Sequence, residues 1–452
     1  MKVKKMEKQD YFNFTGELFS KDKIKEKPEA LKGVRVIELA TRIYGPATAD
    51  YLAEFGAEVI KVELPLIGDL MRYVTPQGFF WKNASPAFFP QNRNKYHIAV
   101  DVRKAYGKEI FKKLTENADV IIENLRAGTM DEWGIGYNQL KKVNPKIIYA
   151  ANSGFGQWGE YSKGRASYDA TAQAVSGMSA ITGFPESSPL KIGTWIGDFT
   201  GSLMSAISIL TAIFYRKRSG EGQFIDLAQA EVLIRCLDWT WLYSTITGKN
   251  RERKGNVDAA ISPSAIFRCR DGFAAISAKN DEEFSSLLKA LNLENLRDDE
   301  CYRTIENRLN ADSASELVKI ISNRMKEKSV DDVEKLASQF GFSAGKVTNS
   351  RDHYNDEHLK ERGTVWEVQD DLYGNVVEYG PVPKLSASPG RLKWCAKPVG
   401  WHNEEILKGV LGYSDEDIKK FEELKVIGKW DNRQGAMPPK DKKLTLKMEL
   451  KS

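Results

Sequence analysis

The stretch "GVRVIELATRIYGPATADYLAEFGAEVIKVEL", residues 33–64, decides how the rest of the chain is read. Residues 33–40 are mostly apolar and β-branched with no strict polar alternation, the pattern of a strand buried on both faces. Residues 45–57 then take helical spacing, with Pro46 suited to a first turn and Gly56 to a helix end. Residues 58–64 return to an apolar strand. A strand, a helix and a strand joined this closely place the two strands parallel, with the helix crossing over one face. The alternation continues through "HIAVDV" (97–102), the amphipathic "AYGKEIFKKLTENA" (105–118), "DVIIENL" (119–125), "YNQLKKVNP" (137–145) and "KIIYAANSG" (146–154). The implied class is α/β, a parallel sheet covered by helices on both faces, and such sheets hold ligands at the carboxyl ends of their strands.

Downstream, "YDATAQAVSGMSAITG" (168–183) and a run over about 201–217 read as helices. Residues 222–228 read as a further strand, and "AEVLIRCLDWTWLYSTITG" (230–248) as a long apolar helix. The character changes near 250–256. "SAIFRCRDGFAAISA" (264–278) looks like an antiparallel hairpin turning at Arg270-Asp271-Gly272, and charged helical segments follow from about 281 to 340. These form a second domain. After residue 358, "GTVWEVQDDLYGNVVEYGPVPKLSAS" suggests strands again and "NEEILKGVLGYSDEDIKKFEEL" suggests terminal helices.

Composition narrows the function classes. The 452 residues exceed what one hydrophobic core normally serves. A net charge of +5, from 67 basic and 62 acidic residues, is too small an excess to indicate a nucleic-acid partner, though it leaves room for a local basic pocket. Cys236, Cys269, Cys301 and Cys395 form no CxxC pair, and His97, His353, His358 and His402 join them in no zinc spacing, so no metal site is expected. Reduced thiols and a polar, Lys/Glu-rich start without a secretory pattern fit a cytoplasmic protein. The most apolar run, "LMSAISILTAIFY" (203–215), is too short and serine-containing for a membrane span and reads as a buried helix.

Several motifs carry two readings. "GFGQWG" (154–159) satisfies GxGxxG after a strand, but "EYSKGRAS" reads as loop, so a turn is the better reading than a dinucleotide cradle. Arg93 and Lys95 in "QNRNKYH", and Arg72 in "GDLMR", are either solvated loop cations or phosphate contacts. Trp239, Trp241 and Tyr243 have core spacing, whereas Trp195 is a better pocket wall. Asp198, in "TWIGDFTGSLM" (194–204), stands before an apolar helix, where aspartate is a favoured N-cap. A cap and a nucleophile are compatible. The helix dipole favours an ionised carboxylate, Gly197 and Gly201 would let a ligand approach the backbone, and such a carboxylate can attack an activated acyl group.

The chain resembles the class III CoA-transferases, the family of formyl-CoA transferase and carnitine CoA-transferase. The resemblance runs from about Leu31 to Val426 through "LKGVRVIELA", "GPATADYLAEFGAEVIKVE", "GDLMR", "NRNK", "ADVIIENLRAG", "SGFGQWG", "YDATAQAVSG", "GDFTG", "SGEGQFIDLAQAE" and "NEEILKGVLGYSDEDI". It implies that Asp198 is the catalytic aspartate. It also implies a Rossmann-like large domain over 31–228 and 358–437, with a parallel sheet formed from both chain ends. Linkers would fall at 229–253 and 341–357, a smaller inserted α+β domain at 254–340, an N-terminal extension at 1–30 and a basic tail at 438–452. Two chains would interlock as a dimer, with a paralogue as the alternative partner. CoA would lie near Val100, Asn124 and Leu125, to which Lys95 and Arg72 are added here as phosphate contacts. CoA and acyl-CoA are then substrates, with no permanently bound cofactor. Asp198 would attack the donor thioester, giving a mixed anhydride and then an aspartyl-CoA thioester, which an acceptor carboxylate would resolve.

Departures shape the substrate expectation. Formyl-CoA transferase has a glutamine where Ile43 stands, and residues 255–265 lack its glycine run, which argues against formate or oxalate. Ile43, Tyr168 and Trp195 are the expected substrate pocket, and with Trp239, Trp241 and Tyr243 they suit a bulky, hydrophobic or betaine-like acid. The related α-methylacyl-CoA racemases are the nearest rival, but Tyr168 occupies the place of the histidine they need, and a tyrosine is a poor base at neutral pH. A nicotinamide oxidoreductase and a non-catalytic CoA-binding subunit are the remaining alternatives.

Overall fold

In the computed structural model, which describes residues 7–74, 78–81 and 84–430, the stretch quoted above forms β1 (Arg35–Leu39), a helix over Tyr44–Glu54 and β2 (Glu58–Glu63). With β3 (Lys95–Ala99), β4 (Val120–Glu123), β5 (Ile148–Ser153) and β6 (Phe224–Ala228) they build a six-stranded sheet ordered β3-β2-β1-β4-β5-β6. Every pairing in it is parallel. This is the doubly wound order, whose direction reverses between β1 and β4, the place where such sheets bind ligands.

The absence of polar alternation in the strands has a direct cause. Side chains alternate between faces along a strand, and here both faces are covered. Ile37, Ile60, Ile98 and Ile121 pack with Ile110, Phe111 and Leu114 of the Ala105–Glu116 helix. Their neighbours Val36, Val59 and Val120 pack on the opposite face with Leu52 and Ala53, and with Ile209 and Ile213 of the Ile196–Ser219 helix. That helix has 24 residues and is long and apolar enough, by length and composition, to cross a membrane. Eight of its residues, including Ser205, Ile209 and Ala212, are instead buried in the fold. The run read as 203–215 is therefore the middle of a longer helix that is buried on one face only, since Leu203, Ile207, Leu210 and Phe214 are exposed.

All six strands of the main sheet precede residue 229, so the expectation that both chain ends supply strands is corrected. The later segment contributes packing. Ile406, Leu407 and Phe421 enter the core beneath β3, and Asp101 N–H donates to the Val426 carbonyl. Its own strands, β10 (Val365–Asp370) and β11 (Gly374–Tyr379), pair only with each other as an antiparallel hairpin. Their alternating burial is that of a half-exposed ribbon, not of a strand inserted in a two-faced sheet.

The described residues divide into two compact units, one falling within Met1–Ser176, Gly193–Cys236 and Asp356–Ser452, the other of Gly177–Ile192 and Leu237–Asn355. The second unit holds the antiparallel strands β7 (Ser264–Arg268), β8 (Phe273–Ser277) and β9 (Ser343–Lys346). Helices Asp281–Ala290, Ala311–Met325 and Val330–Phe340 close its core through Leu287, Ile321 and Val333. It is wider than the 254–340 read from sequence. β9 lies in the stretch taken as a linker, and the Arg253 guanidinium donates to the Phe184 and Ser187 carbonyls, tying in residues far upstream. The apolar run at 230–248 is broken into two helices, Gln229–Arg235 and Thr240–Thr247, with Asp238 at φ 58° between them. The tail expected at 438–452 lies outside the described residues.

Candidate active site

Three parallel strands deliver their following residues to one place. β1 leads into Thr41 and Arg42, β4 into Asn124, and β6 into Gln229. Asn124 bridges the switch point with both ends of its amide: Oδ1 accepts the Thr41 N–H at 2.9 Å and Nδ2 donates to the Thr41 carbonyl at 2.7 Å. The Ile196–Ser219 helix brings in Asp198.

Asp198 is not the cap of its helix. Trp195 holds the N-cap position without a side-chain hydrogen bond, and the helix begins at Ile196. The capping role falls to Asp169, whose Oδ1 accepts the Gly197 N–H at 2.7 Å and whose Oδ2 accepts from Gln173 Nε2 at 2.7 Å. Asp198 is thereby released from local duty. Its Oδ1 accepts a 2.6 Å hydrogen bond from Gln229 Nε2, and among the described residues no donor reaches Oδ2. The expectation of a carboxylate held ionised by the helix dipole is also corrected. Burial, and then the nearby Asp169 charge, push the Asp198 carboxyl up to about 7, against the opposing pull of the Gln229 hydrogen bond and the Arg42 charge.

The two glycines serve packing rather than ligand approach. A Cβ on Gly201 would lie 2.6 Å from the Tyr44 ring, and one on Gly197 would lie 3.0 Å from Leu233 Cδ1 and 3.1 Å from Asp169 Oδ1. The space is already filled by the protein. Since the Gly197 N–H is bonded to Asp169, it is not free for an oxyanion either. Tyr44 is buried beside the site and donates to the Leu227 carbonyl at 3.3 Å. Burial, reinforced by Asp198, drives its phenol further above the ordinary tyrosine range.

Among the sequence-derived pocket residues, Tyr168 is 62 % exposed and Trp195 38 % exposed. The Arg42 guanidinium lies 4.9 Å above the Tyr168 ring. Ile43 is removed from the pocket: it is buried with Ala47, Met71 and Phe88. Trp239, Trp241 and Tyr243 belong to the second unit, where Arg251 covers the Trp239 ring at 4.5 Å and Tyr243 meets its edge.

The phosphate contacts assigned to Lys95 and Arg72 are not supported by the geometry. Lys95 is fully buried, its ammonium donating to Glu38 Oε2 at 2.7 Å and to the Pro46 and Gln91 carbonyls at 2.8 and 2.6 Å. Arg72 is equally enclosed, with Nε and Nη2 on the Glu63 carboxylate at 2.8 and 2.6 Å and Nη2 also on the Lys397 carbonyl. The polar setting of Lys95 in "QNRNKYH" could not reveal in sequence that it faces inward. Val100 is buried and bridged by Ile427. Asn124 and Leu125 remain half-buried at the ligand edge. In the GxGxxG loop, Gln157 N–H donates to the Asp226 carboxylate and no helix starts before Asp169, so the loop is a turn rather than a phosphate cradle. Among the described residues no cluster of His, Cys, Asp and Glu could hold a metal ion.

Asp169, Gln229 and Arg42 were not singled out from sequence, although Arg42 and Gln229 carry one available signal: each follows a parallel strand at its carboxyl end.

Comparison with known proteins bears on this geometry. The model of CoA-transferase family III matches residues 31–403. The chain belongs to CoA-transferase family III. The transferase is 34 % identical over 402 residues to the succinyl-CoA–D-citramalate CoA-transferase of Chloroflexus aurantiacus, covering 88 % of this chain and 98 % of that one. It is 35 % identical over 395 residues to the succinyl-CoA:glutarate CoA-transferase of Mus musculus, covering 86 % and 88 %. The crystal structure of a CAIB/BAIF family protein from Brucella suis superposes with a TM-score of 0.75 at 30 % identity, covering 85 % of this chain and all of that one. The transferase therefore uses CoA thioesters as substrates.

Proposed function

We propose that the transferase moves CoA from an acyl-CoA to a carboxylic acid through covalent intermediates on Asp198. The observation that carries this reading is the state of that carboxyl group: Oδ1 is fixed by Gln229, the residue that follows β6 at its carboxyl end, and Oδ2 has no donor among the described residues. Asp198 Oδ2 attacks the thioester carbonyl, and the C–S bond breaks to give a mixed anhydride and CoA thiolate. The thiolate attacks the aspartyl carbonyl, the donor acid leaves with the anhydride oxygen, and an aspartyl-CoA thioester remains. The acceptor carboxylate reverses both steps. Acyl activation is conserved throughout, so the balance needs no nucleotide. Water must be excluded while the anhydride exists.

A dicarboxylic acyl group is the substrate class we favour. The two named relatives carry succinyl-CoA with citramalate or glutarate, acids that share a second carboxylate. The betaine-like alternative loses support where the Trp239 face is already taken by Arg251. A dimer of this chain completes the proposal. Leu203, Ile207, Leu210 and Phe214 stand exposed at helical spacing on the Asp198 helix, an apolar stripe that a second copy would cover. Light scattering of the purified protein tests that point.

The test of the chemistry is trapping. Incubation with succinyl-CoA followed by hydroxylamine converts an aspartyl thioester to a hydroxamate, and mass spectrometry of the peptide spanning Asp198 is expected to find it there. Turnover with no modification of that peptide overturns the reading.

A further inference from the structure

Arg42 combines a left-handed backbone with a guanidinium that no carboxylate or carbonyl engages among the described residues. Its φ of 66° puts a non-glycine residue in the left-handed region, a conformation kept only where the surroundings enforce it. Asp69 enforces it, with Oδ1 accepting the Arg42 N–H at 2.7 Å and the Thr41 hydroxyl at 2.8 Å. The side chain so presented is half-buried, and among the described residues no hydrogen bond or ion pair engages its guanidinium. Its contact is the Tyr168 ring at 4.9 Å. Tyr168 precedes Asp169, which bonds the Gly197 N–H beside Asp198. The guanidinium is near enough to the nucleophile for its charge to act on the Asp198 carboxyl. Arg72 and Arg93, by contrast, are consumed by ion pairs with Glu63 and with Asp50 and Glu54.

We infer that Arg42, stacked on Tyr168, is the subsite for the distal carboxylate of a dicarboxylic acyl group whose other end reacts at Asp198. A planar guanidinium matches a carboxylate in bidentate fashion, and the aromatic ring fixes its plane while leaving its N–H groups free. A substrate carboxylate supplies the anionic partner that the protein withholds. The subsite rests on the aspartyl reading above, since it defines distance from Asp198.

The experiment compares two self-exchange reactions of the full-length protein: labelled succinate into succinyl-CoA, and labelled butyrate into butyryl-CoA. The two acyl groups have equal length and differ by carboxylate against methyl. Arg42→Gly is the informative variant, because glycine adopts the positive φ without strain and the fold is kept. The succinate-to-butyrate ratio of kcat/KM is expected to fall roughly 10- to 100-fold in Arg42→Gly, the scale of a charged hydrogen bond, with most of the change in KM for the acid. Arg42→Lys, which keeps the charge but not the fork, is expected to restore part of the ratio. A ratio unchanged in Arg42→Gly overturns the subsite, and so does an equal loss of both exchanges, which would make the guanidinium a CoA contact. Trapping on the wild type separates the two proposals: succinate exchange with no label on Asp198 overturns the aspartyl reading, while the ratio alone judges Arg42.

Discussion

Asp169 Oδ1 accepts the main-chain N–H of Gly197 at 2.7 Å, and this bond sets a second carboxylate beside Asp198. One aspartate caps the helix so that the next need not. Burial, and then the Asp169 charge, oppose ionisation of Asp198 and push its carboxyl up to about 7. A nucleophile near neutrality is a compromise between ionised fraction and reactivity.

The Asp198 carboxylate must be ionised to attack, so kcat/KM for the acyl-CoA is expected to rise with pH through about 7 and level off above it. Asp169→Asn keeps an oxygen to accept from Gly197 but removes the charge. The rising limb is expected to move to lower pH in that variant. A pH–rate profile with an unmoved limb would sink the assignment of Asp169 as the main charged neighbour.

Gln229 acts in the opposite sense. Its 2.6 Å bond to Asp198 Oδ1 favours the ionised form and holds the carboxyl in one orientation. Gln229→Leu is expected to lower kcat/KM by about 10- to 100-fold, the loss of one charged hydrogen bond, and to shift the limb to higher pH. Steady-state profiles of the two variants, displaced in opposite directions from wild type, check both claims together.

The same pKa makes a stability statement. The folded-state value, about 7, lies above the unfolded value, so the folded protein binds the proton more tightly. The penalty for ionising Asp198 is absent below the unfolded pKa, near 4, grows as pH rises toward 7 and is constant above. Asp198→Asn is therefore expected to lose transfer activity while melting above the wild type by a margin that widens from pH 4 to 7. Melting curves across that range test the sign.

Sequence reading and structure part company at identifiable residues. The strands of the main sheet were legible because Val36 and Ile37, Val59 and Ile60, Val120 and Ile121 face two different apolar layers, leaving runs that no half-exposed strand would show. Asp198 was legible through its glycine-flanked place before an apolar helix. Which way a lysine or arginine points was not legible. Lys95 and Arg72 follow the pattern of solvated loop cations, yet their partners Glu38 and Glu63 lie on other strands, 57 and 9 residues away. Likewise, Gly197 and Gly201 are glycines because of Asp169 and Tyr44, contacts fixed only by tertiary packing.

Gly201→Ala tests that packing. The added methyl would fall 2.6 Å from the Tyr44 ring, a buried aromatic also tethered to the Leu227 carbonyl, so neither side yields without moving the site. A loss of about 1–3 kcal/mol is expected from overpacking, read by denaturant melts, with reduced transfer activity as Tyr44 is displaced.

Lys95→Met separates a buried ion pair from a phosphate contact. The ammonium is bonded to Glu38 and two carbonyls with no solvent exposure, and Glu38 also pairs with Lys61. Removing Lys95 leaves a carboxylate and two carbonyls short of a donor in a place water does not reach, a mechanism that costs about 3–5 kcal/mol. Stability is therefore expected to fall sharply. A phosphate contact would behave otherwise, weakening acyl-CoA binding in a salt-dependent way while leaving the melt nearly unchanged, because a solvated lysine contributes little to folding. Measuring the melt and the KM for acyl-CoA at two salt concentrations distinguishes the roles. A large rise in KM with an intact melt would return Lys95 to the CoA site and contradict the inward-facing geometry.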